Sequence, residues 1–108
     1  MDLNEYQKKA LETAIYPQST ARSYTTLGLA SEAGEVAGIW KKCLRDRNGV
    51  PDKQDIEKIT KELGDVLWYC ATVAKEFGLD LSSVAEENVK KLASRKERGV
   101  LRGSGDDR

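Results

Sequence analysis

Two pairs of acidic residues are the part of the sequence best suited to chemistry: Glu32 with Glu35, and Glu62 with Asp65. Residues three positions apart lie on one face of an α-helix, so each pair would present two carboxylates in one direction. Either pair alone is weak evidence, because such acids are common on solvated helices. Four carboxylates in one cleft, however, would repel one another unless a cation neutralised them. The four residues are therefore our predicted metal ligands and catalytic residues.

The ligand type indicates which metal this site would hold. Oxygen ligands alone suit Mg²⁺, with Mn²⁺ as an alternative, and such ions usually take substrate phosphate oxygens as further ligands. The sequence contains no histidine, which removes the residue most used for zinc or iron ligation and the Glu-x-x-His pairs of di-iron bundles. An EF-hand is also excluded, because Asp46-Arg47-Asn48-Gly49 lacks the remaining loop ligands in register.

Four predicted helices would position the acidic pairs. Apolar residues recur at helical spacing over about residues 3–15, 26–44, 52–77 and 82–96. Asp2 is a helix cap, Asn48-Gly49 marks a turn and Gly78 follows the third helix. No strand pattern remains, so the predicted fold class is all-α, a subunit resembling a four-helix bundle. Both acidic pairs then lie beside the apolar faces that the second and third helices would bury.

The length of 108 residues corresponds to one small domain. We expect residues 1–98 to form the helical catalytic domain and residues 99–108, which contain three glycines, to form a tail. This tail is either disordered or folds over the substrate, with Arg108 contacting phosphate. With 39 % hydrophobic residues, a lone subunit would leave Trp40, Leu44 and Trp68 partly uncovered. Assembly into a homodimer or homotetramer is therefore predicted.

Charge and hydropathy indicate where such a protein would work. Lys plus Arg equals Asp plus Glu, at 18 each, so no overall field favours nucleic acid or an anionic membrane as a partner. The N-terminal residues lack a signal-peptide pattern, and no stretch approaches the roughly 20 apolar residues of a membrane helix. Cys43 and Cys70 lack the spacing of a metal knuckle and are predicted free thiols. We therefore expect a cytoplasmic protein.

The segments around the acidic pairs resemble a known family. Residues 31–37, SEAGEVA, and residues 61–69, KELGDVLWY, are similar to the paired ExxE and ExxD signature of the MazG-like nucleoside triphosphate pyrophosphohydrolases, of the all-alpha NTP pyrophosphatase superfamily. The similarity extends to Asn88-x-x-Lys91-Leu92-x-x-Arg95 and, less specifically, to residues 103–108. Many members carry a further Glu just before the first pair, where this chain has Ser31. This departure leaves open the number of metal ions and the carboxylate that activates water.

The resemblance implies a function as well as a fold. Members of this family are all-α dimers or tetramers that depend on Mg²⁺. They hydrolyse a nucleoside triphosphate between the α and β phosphates, which yields a nucleoside monophosphate and pyrophosphate. Many remove modified or surplus nucleotides, so the implied role is house-cleaning of the nucleotide pool, with common, modified or deoxy nucleotides as substrates.

Polar residues on or beside apolar faces are the candidates for binding the substrate. Lys91 and Arg95 would either extend to solvent from the edge of the core or bind phosphate beside the metal. For the other candidates the structural alternatives are a core amide for Gln7 and Asn88, a solvated side chain for Lys42 and a core aromatic residue for Tyr69. The full predicted set is Gln7, Lys42, Tyr69, Asn88, Lys91 and Arg95.

Two other classes of function fit the same residues. A non-catalytic helical interaction module would carry the acids as surface charge. A nucleotide sensor would bind nucleotide and metal without turnover. Release of pyrophosphate that depends on Mg²⁺ separates the enzyme from both, while the sequence does not indicate which base or sugar is preferred.

Overall fold

A computed structural model describes residues 1–108 and contains helices but no strand, which confirms the all-α class. The helices are α1 (Leu3–Leu11), α2 (Ala21–Arg47), α3 (Lys53–Glu76) and α4 (Leu81–Glu97), and a 3₁₀ turn, Gln18–Thr20, precedes α2. α2 and α3 pack along each other as an antiparallel hairpin, and α1 packs on α3 and α4. α2 contacts neither α1 nor α4. The subunit is therefore an open hairpin that carries two shorter helices, not a closed four-helix bundle.

The turn between α2 and α3 fixes the alignment of the hairpin. Asn48 and Gly49 have φ angles of 54° and 74°, the left-handed region that Asn and Gly tolerate best, so the turn lies where the sequence predicted it. α2 itself continues to Arg47, beyond the predicted end near residue 44. Arg47 donates hydrogen bonds of 2.7 and 2.6 Å to the buried carboxylate of Asp55 across the turn. Asp55 also forms a capping box with Asp52, in which each side chain accepts from the other residue's backbone N–H.

α1 is shorter than predicted and ends at Leu11, not near residue 15. The next turn is tightened, with the Thr13 N–H donating to the carbonyl of Ala10 at 3.1 Å. The Thr13 hydroxyl also donates to Ala10 O at 2.9 Å and accepts from Nε1 of Trp68 at 2.9 Å. A contact with a distant helix thus ends α1, which local periodicity could not show.

α2 is longer than predicted and begins at Ala21, not near residue 26. The 3₁₀ turn before it leads directly into the helix, and Ala21 and Thr25 are both buried. The Thr25 hydroxyl donates to Ala21 O at 2.8 Å, so this threonine is satisfied inside the helix. The other two helices agree closely with prediction, beginning after the caps Asp52 and Asp80.

The core of the subunit is thin. Only 12 of 108 residues are buried, and the main apolar cluster consists of Ala10, Ala71, Ala74 and Leu81. Many large apolar side chains remain exposed. Val84 and Leu92, which recur at helical spacing along α4, are among them. None of the helices is both long and apolar enough to cross a membrane.

Residues 99–108 fold back onto the end of α4. The guanidinium of Arg108 closes this tail into a loop by donating to three carbonyl groups, those of Val100, Leu101 and Gly105, at 3.0, 3.1 and 2.6 Å. Arg98 of the α4 C-cap donates in turn to the carbonyl of Arg108 at 2.7 Å. The tail is thus an ordered part of this subunit.

Candidate metal centre

Three of the four predicted ligands come together where α2 faces α3. Carboxylate oxygens of Glu32, Glu62 and Asp65 all lie within 4.8 Å of one another, and we call these three residues the acid cluster. Two ligand oxygens on one Mg²⁺ are up to about 4 Å apart, because each lies about 2.1 Å from the ion. The cluster is therefore close to the size that a single hard cation requires. Glu35 lies one helical turn farther along α2 and is exposed.

The acid cluster has no basic partner. None of the seven salt bridges includes Glu32, Glu35, Glu62 or Asp65. Burial raises the pKa of Glu32, and the neighbouring carboxyl groups of Glu62, Asp65 and Glu35 raise it further. Converging carboxylates without a cation repel one another, and this repulsion is relieved by a proton or a bound cation. The donor set and its charge therefore fit Mg²⁺ or Mn²⁺.

Tyr69 is held beside the acid cluster by close packing. Its ring lies against Gly28 of α2, where an added methyl group would overlap the ring carbons. The ring also makes an edge contact with Trp68, with centroids 4.9 Å apart at 85°. Burial raises the pKa of the Tyr69 phenol, and the Tyr24 hydroxyl and the charges of Glu32 and Asp65 add to this effect. Tyr69 therefore lies one helical turn beyond Asp65 with its ring packed against α2, and its contact with substrate stays a prediction.

The surroundings of the cluster include two tyrosines that the sequence analysis did not connect with it. Burial raises the pKa of Tyr6 on α1, and the charge of Asp65 raises it further. Tyr24 lies one helical turn before Gly28 of α2, against which the Tyr69 ring packs. A signal for Tyr24 existed in the sequence, because residues 24, 28 and 32 are four apart and share one helical face.

Three of the predicted substrate-binding residues lie on α4, near the tail: Asn88, Lys91 and Arg95. Lys91 and Arg95 both contact Asp106 of the tail, at 2.8 and 3.0 Å, and Arg95 also donates to the Asp106 carbonyl. Asn88 lines the adjoining polar cleft of about 540 Å³, which Arg108 also lines. Nε of the buried Arg95 has no hydrogen-bond partner. Neither Lys91 nor Arg95 forms a salt bridge with a residue of the acid cluster.

The remaining two candidates also lie away from the cluster. The Gln7 amide is buried and donates to the carbonyls of Ala71 and Leu79, both at 3.1 Å, while its oxygen accepts from Leu81 N at 3.0 Å. It is thus the core amide that the sequence analysis named as the alternative. Lys42 lies near the hairpin turn, about 15 Å along the helix axis from Glu32, and lines a small cleft with Arg47. Binding of substrate by either residue stays a prediction.

Comparison with known proteins decides the family. A family model described as the MazG nucleotide pyrophosphohydrolase domain matches residues 20–100. The chain belongs to the MazG nucleotide pyrophosphohydrolase family. The matched MazG segment includes α2, α3 and α4, and hence both predicted acidic pairs.

A curated relative extends the similarity to the whole chain. The Gene 37 protein of Mycobacterium phage L5 is 46 % identical over 114 residues, which cover all of both proteins. Its name states no activity. No solved structure matches the chain. The MazG domain match and the geometry of the acid cluster are therefore the two observations from which a function can be argued.

Proposed function

We propose that this protein is a Mg²⁺-dependent nucleoside triphosphate pyrophosphohydrolase. The supporting observation is the convergence of Glu32, Glu62 and Asp65 within 4.8 Å, without a basic partner, inside a MazG domain. The reaction breaks the anhydride between the α and β phosphates. Water supplies the new oxygen, and the products are a nucleoside monophosphate and pyrophosphate. Common, modified or deoxy nucleotides are all included, and the biological role is house-cleaning of the cytoplasmic nucleotide pool.

The acid cluster and Glu35 would hold the metal ion. Mg²⁺, or Mn²⁺ in its place, would supply charge neutralisation and polarisation of the phosphate oxygens when bound. Glu35 is exposed and unpaired, yet close enough for its charge to raise the pKa of Glu32. A change of its side-chain rotamer would add a fourth carboxylate to the site. One carboxylate of this set accepts the proton that the attacking water loses, as general-base catalysis requires.

Lys91, Arg95 and Asn88 are proposed to bind phosphate on the leaving side. A cation there stabilises the charge that develops on pyrophosphate. Asn88 and Lys91 line a polar cleft, and the buried Nε of Arg95 lacks a hydrogen-bond partner. A phosphate that displaced Asp106 from the guanidinium could become its acceptor. They would reach an acid cluster most directly in an assembly, where α4 of one copy lies against the α2–α3 hairpin of another.

A homodimer or homotetramer is therefore part of the proposal. The thin core and the exposed apolar residues support it, including Trp40 and Leu44 on α2 and Leu63 on α3. Apolar area of this kind on two long helices is typical of a surface that another subunit covers. Light scattering at micromolar concentration tests this expectation, and an active monomer would contradict it.

The activity itself is tested by measuring pyrophosphate from a panel of nucleoside triphosphates, with Mg²⁺ and with EDTA. We expect release that requires the metal. Glu62→Gln should abolish it, whereas Glu57→Gln, an exposed acid on the same helix outside the cluster, should not. If the protein binds nucleotide and Mg²⁺ but releases no pyrophosphate from any substrate, it is a sensor. Absence of both binding and release would indicate an interaction module.

A further inference from the structure

Tyr24 is an exposed aromatic residue with a rigid support. Its side chain is 45 % exposed on α2, and its ring stacks on that of buried Tyr16, with centroids 5.5 Å apart at 20°. Tyr16 is itself fixed, because its hydroxyl donates to Glu76 at 3.0 Å and its ring meets the edge of Trp68 at 6.2 Å. The Tyr24 ring is therefore held in place before any ligand arrives.

This supported ring connects to the acid cluster through one residue. The Tyr69 ring packs against Gly28 of α2, which lies one helical turn from Tyr24 on one side and from Glu32 on the other. Tyr24 and Glu32 also share one face of α2, separated by about 12 Å of helical rise. That length is comparable with the distance from the base to the phosphates in an extended nucleoside triphosphate.

We propose that Tyr24 binds the base of the substrate by stacking, while the acid cluster acts on the phosphates. The inference rests on the proposed function and adds the base subsite to it. A preorganised ring loses little conformational entropy when it binds, which favours it over a mobile side chain. Stacking accepts any base with a π face, so Tyr24 would distinguish nucleotides from phosphate compounds that lack a base.

Trp40 provides a matched control on the same helix. It lies the same number of residues beyond Glu32 as Tyr24 lies before it, and it is 42 % exposed. It differs in lacking any of the aromatic ring contacts that fix Tyr24. If any exposed aromatic residue at this distance could stack the base, Trp40 would serve as well as Tyr24.

The test compares two substrates, a nucleoside triphosphate and ribose 5-triphosphate, which has no base. For Tyr24→Ala we expect a roughly tenfold or larger fall in kcat/KM with the nucleotide, through KM, because stacking contributes equally to substrate and transition state. With ribose 5-triphosphate the variant should match wild type. Tyr24→Phe keeps the aromatic ring and should have nearly the wild-type kcat/KM with the nucleotide. Trp40→Ala should change kcat/KM by the same factor for both substrates, even if it alters assembly.

Equilibrium titration of the same two ligands with Mg²⁺ reports stacking without turnover. A protein that releases no pyrophosphate would contradict the proposed function, and the Tyr24 inference would still be decided by whether Tyr24→Ala weakens binding of the nucleotide alone. The inference is overturned if Tyr24→Ala affects both ligands equally, which would indicate a structural role. It is also overturned if Trp40→Ala, rather than Tyr24→Ala, removes the preference for a ligand with a base.

Discussion

The acid cluster and the corner where the tail meets α4 have opposite charge arrangements. Glu32, Glu62 and Asp65 converge with no Lys or Arg beside them. At the other corner, Lys91 and Arg95 also lie close together, but Asp106 pairs with both. Like charges are thus left uncompensated in one region and compensated in the other.

The acid cluster carries charge that a bound cation could neutralise, whereas the two cations of α4 already have a partner within the protein. Uncompensated carboxylates cost folding free energy, and a bound cation can recover it. Lys91 and Arg95 already pair with Asp106, so phosphate would bind there with less gain in free energy unless it displaced the Asp106 carboxylate. Metal binding should therefore have large effects on activity and stability, and changes in the tail should have small ones.

The largest effect is expected from removing one charge of the acid cluster. Glu62→Gln or Asp65→Asn should lower the rate of pyrophosphate release at least about a hundredfold, because the metal and the transition-state charge both depend on these oxygens. The metal-free variants should melt no lower than wild type, since repulsion is relieved. Circular dichroism in EDTA and a pyrophosphate assay measure both effects. Near-normal activity in either variant would remove the cluster from the mechanism.

A smaller effect is expected from the packing that supports the cluster. Gly28→Ala places a methyl group inside the Tyr69 ring, so the ring must move, at a cost of about 1–3 kcal/mol. Gly38→Ala is the matched control, because nothing lies within 4 Å of its added carbon in this subunit. That change should stabilise α2 by up to about 1 kcal/mol. Thermal unfolding measures the melting temperatures of the two variants. Equal shifts from wild type would contradict the close approach of Tyr69 to α2.

The dependence of stability on pH should reveal the repulsion in the metal-free cluster. The pKa of Glu32 is raised above its usual 4.5, so the folded protein holds this proton more tightly than the unfolded chain. Its contribution to stability therefore falls as the pH rises above about that value. In EDTA, Glu32→Gln should gain stability over wild type as the pH rises from acid to neutral. Saturating Mg²⁺ should reverse the order, because the metal replaces the proton.

Unfolding curves across this pH range, with and without Mg²⁺, provide the measurement. A constant difference between Glu32→Gln and wild type at every pH would show that Glu32 titrates alike in both states. The cluster would then carry no repulsion to relieve, and its contrast with the paired cations of α4 would disappear.

Local features of the sequence were sufficient for most of the fold. The cap Asp2 and the Asn48-Gly49 turn act within a few residues, and the structure confirms them. The three acids that converge, Glu32, Glu62 and Asp65, are among those that their spacing predicted, whereas Glu35 lies outside the cluster. The MazG resemblance is likewise confirmed.

Contacts between distant residues account for what the sequence did not predict. The end of α1 depends on Trp68 reaching Thr13, and the tail depends on Arg108 finding carbonyls around it. Val84 is exposed, although it recurs at helical spacing along α4. Periodicity shows which face of a helix is apolar, but not whether another element covers that face.

The smallest expected effect concerns the tail. Asp106 is 77 % exposed and pairs with Lys91 and Arg95, and the pKa of its carboxyl group is lowered first by Lys91 and then by Arg95. The exposed pair with Lys91 contributes little to stability, and the buried Arg95 keeps the backbone carbonyl of Asp106 as an acceptor. Asp106→Asn should therefore lower the melting temperature only slightly. If phosphate uses the same cations, the variant should lower KM a few fold at low salt, because the substrate no longer competes with a carboxylate. High salt should reduce this gain.

Asp107→Asn is the matched control, because Asp107 borders the same cleft but forms no salt bridge with Lys91 or Arg95. It removes the same charge from the same tail, so a general electrostatic effect would lower KM in both variants alike. A gain confined to Asp106→Asn would show that these cations serve the substrate and that the tail occupies their site in its absence. An unchanged KM in Asp106→Asn would make Lys91 and Arg95 anchors of the tail, and phosphate binding would then have to come from other residues.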